Sequence, residues 1–101
     1  MKPAPFTYHD PHSLSDALDV LASSENARVL AGGQSLIPMM NFRYAMPDHL
    51  IDLNKVSALS YLRFEGDQLH IGAMTRQRDI EFSAEIAQRC PILHEALSHV
   101  G

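Results

Sequence analysis

The spacing of apolar residues changes several times along the chain, and each change marks a predicted element. Phe6 to His9 is a short β-prone run behind Pro3 and Pro5. Prolines there suit an edge strand, because proline cannot donate to a ladder. From Ser13 the period becomes helical: Leu14, Ala17, Leu18 and Leu21 fall at i, i+3, i+4 and i+7, with Asp16 and Asp19 turned to the other side. Ser13 with Asp16 three residues later resembles a capping box carrying Asp in place of Glu. Ala27 to Ala31 reads as a short strand that runs straight into Gly32-Gly33-Gln34-Ser35. Leu36 to Phe42 is apolar almost throughout and predicts a short helix, which Ser35 can cap and whose first turn tolerates Pro38. Leu50-Ile51-Asp52-Leu53, after a turn containing Pro47, Asp48 and His49, looks like a buried strand.

Two strand-helix-strand units in succession imply a small parallel sheet of three strands. Beyond it the pattern alternates: Leu62 and Phe64 interleave with Tyr61 and Arg63, and Leu69 and Ile71 with His70 and Gly72. A two-residue turn at Gly66-Asp67 pairs Phe64 with Leu69 and Leu62 with Ile71 on one face of an antiparallel hairpin. Thr75 and Ser83 are candidate N-caps for two short helices, and Pro91 can open a third carrying Ile92, Leu93, Ala96, Leu97 and Val100. The predicted class is α+β: a three-stranded parallel β-α-β-α-β subdomain over residues 1–55, then the start of an antiparallel subdomain with helices over 56–101. A lone hairpin is barely stable by itself, so further strands are expected to complete it.

Composition narrows the setting. A chain of 101 residues with 46% hydrophobic content has room for one small core. Its net charge is -4 and its basic residues are scattered, which excludes the clustered cations that nucleic-acid binding requires. Cys90 is alone, so there is no internal disulfide and no CxxC pair. The first residues contain no apolar signal region, and nowhere do 18 apolar residues run together. A reduced, cytoplasmic location without a transmembrane segment is the expectation.

Candidate chemistry concentrates at Ala31-Gly32-Gly33-Gln34-Ser35-Leu36. Glycines between a strand and a helix let the backbone approach a phosphate closely, with helix-start N–H groups turned toward the negative charge. The segment is neither GxGxxG nor GxxxxGK[ST], so the Rossmann and Walker readings do not apply. Met39, Met40 and Phe42 read as core. The six histidines show no convergent spacing that would predict a metal site, and Cys90 has no His-Asp pattern beside it and reads as a buried structural thiol. No catalytic residue is predicted. Arg43, Tyr44, Arg76 and Arg78 are read as surface charge and polarity outside the site.

Val29 through Arg43, centred on Ala31-Gly32-Gly33-Gln34-Ser35-Leu36, resembles the first FAD-diphosphate loop of the flavin subunits of molybdenum hydroxylases. That family includes aerobic carbon monoxide dehydrogenase and xanthine dehydrogenase, and its flavin domain is of the p-cresol methylhydroxylase (PCMH) type. Ile51-Asp52-Leu53-Asn54 resembles the family's next strand, Ile71-Gly72-Ala73-Met74-Thr75 its hairpin exit, and Cys90-Pro91-Ile92-Leu93 a later helix start. The resemblance implies that residues 1–101 are the N-terminal portion of a PCMH-type FAD-binding domain. It implies that backbone N–H groups of Gly32, Gly33, Gln34 and Ser35 hold the FAD diphosphate, with the Ser35 hydroxyl as an added donor and Ala31 and Leu36 as walls.

The same resemblance implies an oxidoreductase subunit that passes electrons from iron–sulfur clusters to an external acceptor. Its partners would be a large molybdopterin-binding subunit and a small subunit with [2Fe-2S] clusters. A medium subunit like that of carbon monoxide dehydrogenase is preferred because the domain starts at Met1 as a separate chain. A second glycine-containing phosphate loop is expected beyond Gly101, so the segment alone is expected to be inactive. Two alternatives are the FAD domain of a single-chain flavin oxidase and a non-catalytic fragment that binds a partner subunit through Met39 to Phe42.

Overall fold

The computed structural model describes residues 1–100, which fall into two compact units, the second beginning at Leu59. The sequence pattern placed the change after residue 55. Val56 explains the difference: it is buried in the first unit, whose last residue is Ala58.

The first unit is a β-α-β-α-β arrangement: β1 (Thr7–His9), α1 (Leu14–Ser23), β2 (Ala27–Leu30), α2 (Leu36–Asn41) and β3 (His49–Asp52). All strands are parallel, and β3 inserts between the other two to give the order β1-β3-β2. Tyr8 pairs with Leu50 across one side of β3, and Arg28 with Leu50 across the other. β1 therefore lies at an edge, as its flanking prolines predict. Successive side chains of a strand point to opposite faces, and Leu50 and Ile51 are both buried, so both faces of the sheet are covered. Ala17 of α1, Met40 of α2 and Val56 complete this core.

α1 starts where predicted, with the Ser13 hydroxyl accepting from the Asp16 amide at 3.1 Å. Of its apolar stripe only Ala17 is buried; Leu14, Leu18 and Leu21 keep substantial exposure, because a three-stranded sheet is too narrow to cover the whole face of a ten-residue helix. The reading of Met39, Met40 and Phe42 as core holds only for Met40. Met39 and Phe42 are exposed, since a helix of six residues turns one side inward and leaves the rest outside. α2 ends in a Schellman motif: the Arg43 amide donates to the Met40 carbonyl at 3.0 Å and the Tyr44 amide to the Met39 carbonyl at 2.8 Å. Arg43 takes the left-handed position (φ 58°) that glycine usually fills.

The second unit contains β4 (Leu62–Glu65), β5 (Gln68–Ile71), α3 (Gln77–Glu81), α4 (Ala84–Arg89) and α5 (Pro91–Leu97). The hairpin has the predicted register, Phe64 opposite Leu69 and Leu62 opposite Ile71. Gly66 sits at φ 60° in the first central position of the turn. Arg89 crosses from α4 to the hairpin, its guanidinium 4.1 Å from the Phe64 ring centroid and 2.8 Å from the Gly66 carbonyl oxygen. Ser83 caps α4 as expected, accepting from the Ile86 amide, and Pro91 opens α5. Thr75 does not cap α3, whose N-cap is Arg76. Its hydroxyl instead donates to the Tyr61 carbonyl at 2.7 Å and accepts from the Tyr61 amide, a long-range bond that outcompetes the local one. Val100 lies past the end of α5, and Cys90 is half-buried rather than buried.

Candidate functional site

The candidate loop begins where β2 ends. The Leu53 amide donates to the Leu30 carbonyl at 3.0 Å, and after this last rung the chain leaves the sheet through Ala31 to Ser35 before α2 begins at Leu36. Ala31, Gly32, Gln34 and Ser35 are exposed, while Gly33 and Leu36 are half-buried. Gly33 has φ 79°, a left-handed conformation that L side chains rarely adopt. Gly32 needs no such freedom; a Cβ built there meets nothing within 4 Å, so the space above its backbone is open.

Hydrogen bonding in the loop is one-sided. The carbonyls of Gly33 and Ser35 accept from the amides of Ile37 (3.1 Å) and Met39 (3.3 Å) as α2 gets under way. Among the described residues, the amides of Gly32, Gly33, Gln34, Ser35 and Leu36 meet no acceptor. A run of unpaired N–H donors on an exposed, glycine-bearing turn can receive the oxygens of an anion.

Ser35 departs from expectation. Its backbone is in the αR region (φ −104°, ψ −43°) and its hydroxyl makes no cap hydrogen bond, because a side-chain cap needs the extended backbone that Ser13 and Ser83 have. Ser35→Ala should therefore change the melting free energy by less than about 0.5 kcal/mol, the usual range for exposed sites without a special contact. Thermal denaturation checks this, and a loss above about 1 kcal/mol, the usual worth of a cap, would show that the hydroxyl caps α2 in solution after all.

The anchor of the loop is a set of side chains that sequence reasoning did not single out. The Asn54 side-chain amide donates to the Ala31 carbonyl at 3.0 Å and to Asp52 Oδ1 at 2.6 Å, and the Asn54 backbone amide donates to the same Oδ1 at 2.9 Å. The Tyr8 hydroxyl of β1 donates to Asp52 Oδ2. Lys55 Nζ then binds Asp10 Oδ2 at 2.6 Å, tying the segment after β3 to the segment after β1. Burial alone would raise the Asp52 carboxyl, but the donors from Tyr8 and Asn54, with Lys55 nearby, hold it below the ordinary carboxylate value. Asp52 is therefore ionised at neutral pH. The same bond pushes the Tyr8 hydroxyl up to about 12, with desolvation and the Asp52 charge adding to it. The Asp-Leu-Asn spacing after a strand signals a local turn; its reach to Ala31 carries no local signal.

One hollow adjoins the loop through Leu36. Leu36 helps line an open hollow of about 500 Å³ with Arg28, Met39 and Tyr44. Among the described residues no group of His, Cys, Asp or Glu is placed to hold a metal ion, and no helix is long and apolar enough to cross a membrane.

Known proteins resemble this chain in sequence and fold. The sequence model of the family described as the FAD binding domain in molybdopterin dehydrogenase matches residues 4–101. The medium chain of carbon monoxide dehydrogenase from Hydrogenophaga pseudoflava is 44% identical over 97 residues, covering 95% of this chain and 34% of that one. The medium chain of glyceraldehyde dehydrogenase from Sulfolobus acidocaldarius is 39% identical over 101 residues, covering 100% and 36%. A solved structure of the Hydrogenophaga pseudoflava carbon monoxide dehydrogenase superposes with a TM-score of 0.94 at 42% identity, covering 100% of this chain and 36% of that chain. The chain thus spans about a third of the length of the curated relatives it matches. With a family match across nearly its whole length and the same fold at this identity, the chain belongs to the family of FAD-binding domains of molybdopterin dehydrogenases.

Proposed function

We propose that residues 1–101 form the N-terminal part of a PCMH-type FAD-binding domain, in the flavin subunit of a molybdenum hydroxylase, and that Ala31, Gly32, Gly33, Gln34, Ser35 and Leu36 bind the FAD diphosphate. The observation that carries this reading is the run of unpaired amides from Gly32 to Leu36, with open space above the Gly32 backbone. A diphosphate offers acceptor oxygens and negative charge to such a run, and the absence of a Cβ at Gly32 lets it come close. The residues present thus fit the group. Ala31 and the Leu36 side chain flank the donors, and Ser35 has a hydroxyl free to turn outward.

Bound FAD supplies an acceptor that takes electrons singly and can release them in pairs. The chain's own part is binding and orientation: backbone donors hold the diphosphate, and the parallel sheet holds the donors. No acid, base or nucleophile is required of these residues. In the proposed complex, a large molybdopterin-binding subunit oxidises substrate and a small iron–sulfur subunit relays electrons to this one, in the cytoplasm. Relatives named for carbon monoxide and for glyceraldehyde are about equally similar to this chain, which supports a substrate choice made in another subunit.

Purification of the full-length subunit with its neighbours tests the reading. A yellow protein with a flavin spectrum, co-purifying with molybdenum and iron, is expected. A colourless protein would favour a fragment that only docks on a partner, and flavin without the metals a single-chain oxidase. Residues 1–101 alone should bind FAD weakly, because a diphosphate held from one side stays hydrated and its ordering cost is poorly offset. Fluorescence titration against the full-length subunit measures this.

A further inference from the structure

The amide that opens the loop is aimed by a side chain outside it. In a trans peptide the C=O and N–H of one unit are coplanar and point in opposite directions. The carbonyl of Ala31 and the N–H of Gly32 belong to the same unit, so fixing the first directs the second. Asn54 fixes the first, through a bond from Nδ2 to the Ala31 oxygen at 3.0 Å. Its other amide hydrogen is committed to Asp52 Oδ1 at 2.6 Å, and its own backbone amide to that same oxygen at 2.9 Å, so the side chain has no further donor and one orientation. Asp52 is held in turn from β1 by the Tyr8 hydroxyl.

We infer that Asn54, braced by Asp52 and Tyr8, is a positioning residue that presets the Ala31–Gly32 peptide so that the Gly32 N–H faces the FAD diphosphate. This rests on the proposed function of the loop. Asn54 touches no phosphate in this arrangement; it acts through Ala31. Tyr8 comes from β1, Asp52 from the C-terminal end of β3 and Asn54 from just after it, and the chain of bonds reaches the end of β2 through Asn54. The sheet itself thereby sets the direction of a donor in an otherwise exposed loop. A donor already oriented spares the ligand the ordering cost, and the gain appears as affinity.

The test is FAD binding to the flavin-free full-length subunit by fluorescence quenching, with ADP as a competitor that carries the diphosphate without the flavin ring. Asn54→Ala is expected to weaken FAD and ADP by the same factor, about tenfold, the worth of one hydrogen bond. The melting temperature of the flavin-free protein should barely move, since Asn54 is exposed. Tyr8→Phe, which loosens only the brace, should weaken both ligands by a smaller factor. Wild-type affinity in Asn54→Ala, or a loss for FAD with none for ADP, overturns the inference. Should Asn54→Ala not fold, Asn54→Ser, whose hydroxyl is too short to reach Ala31, is read by the same criteria. Failure of the underlying reading looks different: wild-type subunit that binds neither FAD nor ADP.

Discussion

Gly33→Val in the full-length subunit is expected to strip most of the FAD while leaving the sheet folded. Gly33 adopts φ 79°, where a β-branched residue is strained by ~1–3 kcal/mol. A Cβ there also comes 3.0 Å from Ile37 Cγ1 and 3.3 Å from Leu30 Cδ1. Those are side-chain atoms that can give by a few tenths of an ångström, so the backbone angle dominates. The loop relieves the strain by leaving its conformation, and its donors are displaced with it. At 1.4 kcal/mol per decade, that strain corresponds to roughly five- to hundredfold weaker binding. The fold survives because Gly33 lies past the end of β2, after the last backbone bond to β3. The flavin-to-protein ratio after gel filtration is the measurement, and wild-type stoichiometry would remove this loop from the cofactor site. Gly32→Ala is the informative companion: its methyl meets no protein atom, so any loss of FAD comes from the ligand's side.

Gly72→Ala should be the most destabilising single methyl in the second unit. An added Cβ would stand 2.3 Å from the Leu59 carbonyl oxygen, 2.9 Å from its carbon and 2.9 Å from Tyr61 Cδ1. The first two are backbone atoms and cannot rotate away. The Leu59 carbonyl is moreover engaged, accepting from the Met74 amide at 2.8 Å, while the Gly72 amide donates to the Tyr61 carbonyl at 2.9 Å. The methyl therefore either breaks these bonds or shifts the exit of the hairpin. Overpacking of this kind with a lost buried hydrogen bond costs on the order of 2–4 kcal/mol. Gly66→Ala is the control: nothing lies within 4 Å of its Cβ, and only its φ of 60° opposes substitution, at about 1 kcal/mol. Thermal denaturation of both variants reads the difference. A Gly72→Ala melting curve that overlays wild type would mean that the carbonyl and glycine do not pack this closely in solution.

Both predictions concern glycines, yet only one was legible beforehand. Gly33 stood out because a strand running into a Gly-Gly pair and then a helix start is a local pattern. Gly72 lay in an ordinary strand end, and its need to be glycine arises from Leu59, thirteen residues earlier in the chain and brought close by the hairpin.

The sequence by itself determined those features that depend on covalent neighbours. Apolar spacing set the strands and helices, the two-residue turn at Gly66-Asp67 set the register of β4 and β5, and Ser13, Ser83 and Pro91 set three helix starts. Each rests on contacts between residues a few positions apart, which the backbone brings together whatever the rest of the chain does. The tertiary structure alone decided the insertion of β3 between β1 and β2, the choice of Thr75 to bond Tyr61 instead of capping α3, and the bracing of the Ala31 carbonyl by Asn54, Asp52 and Tyr8. These contacts join residues far apart in sequence, and their partners are fixed only once the strand order is. The glycine loop was readable because its glycines are consecutive; the bond from Asn54 to the Ala31 carbonyl was not, because Asn54 sits on the far side of a crossover.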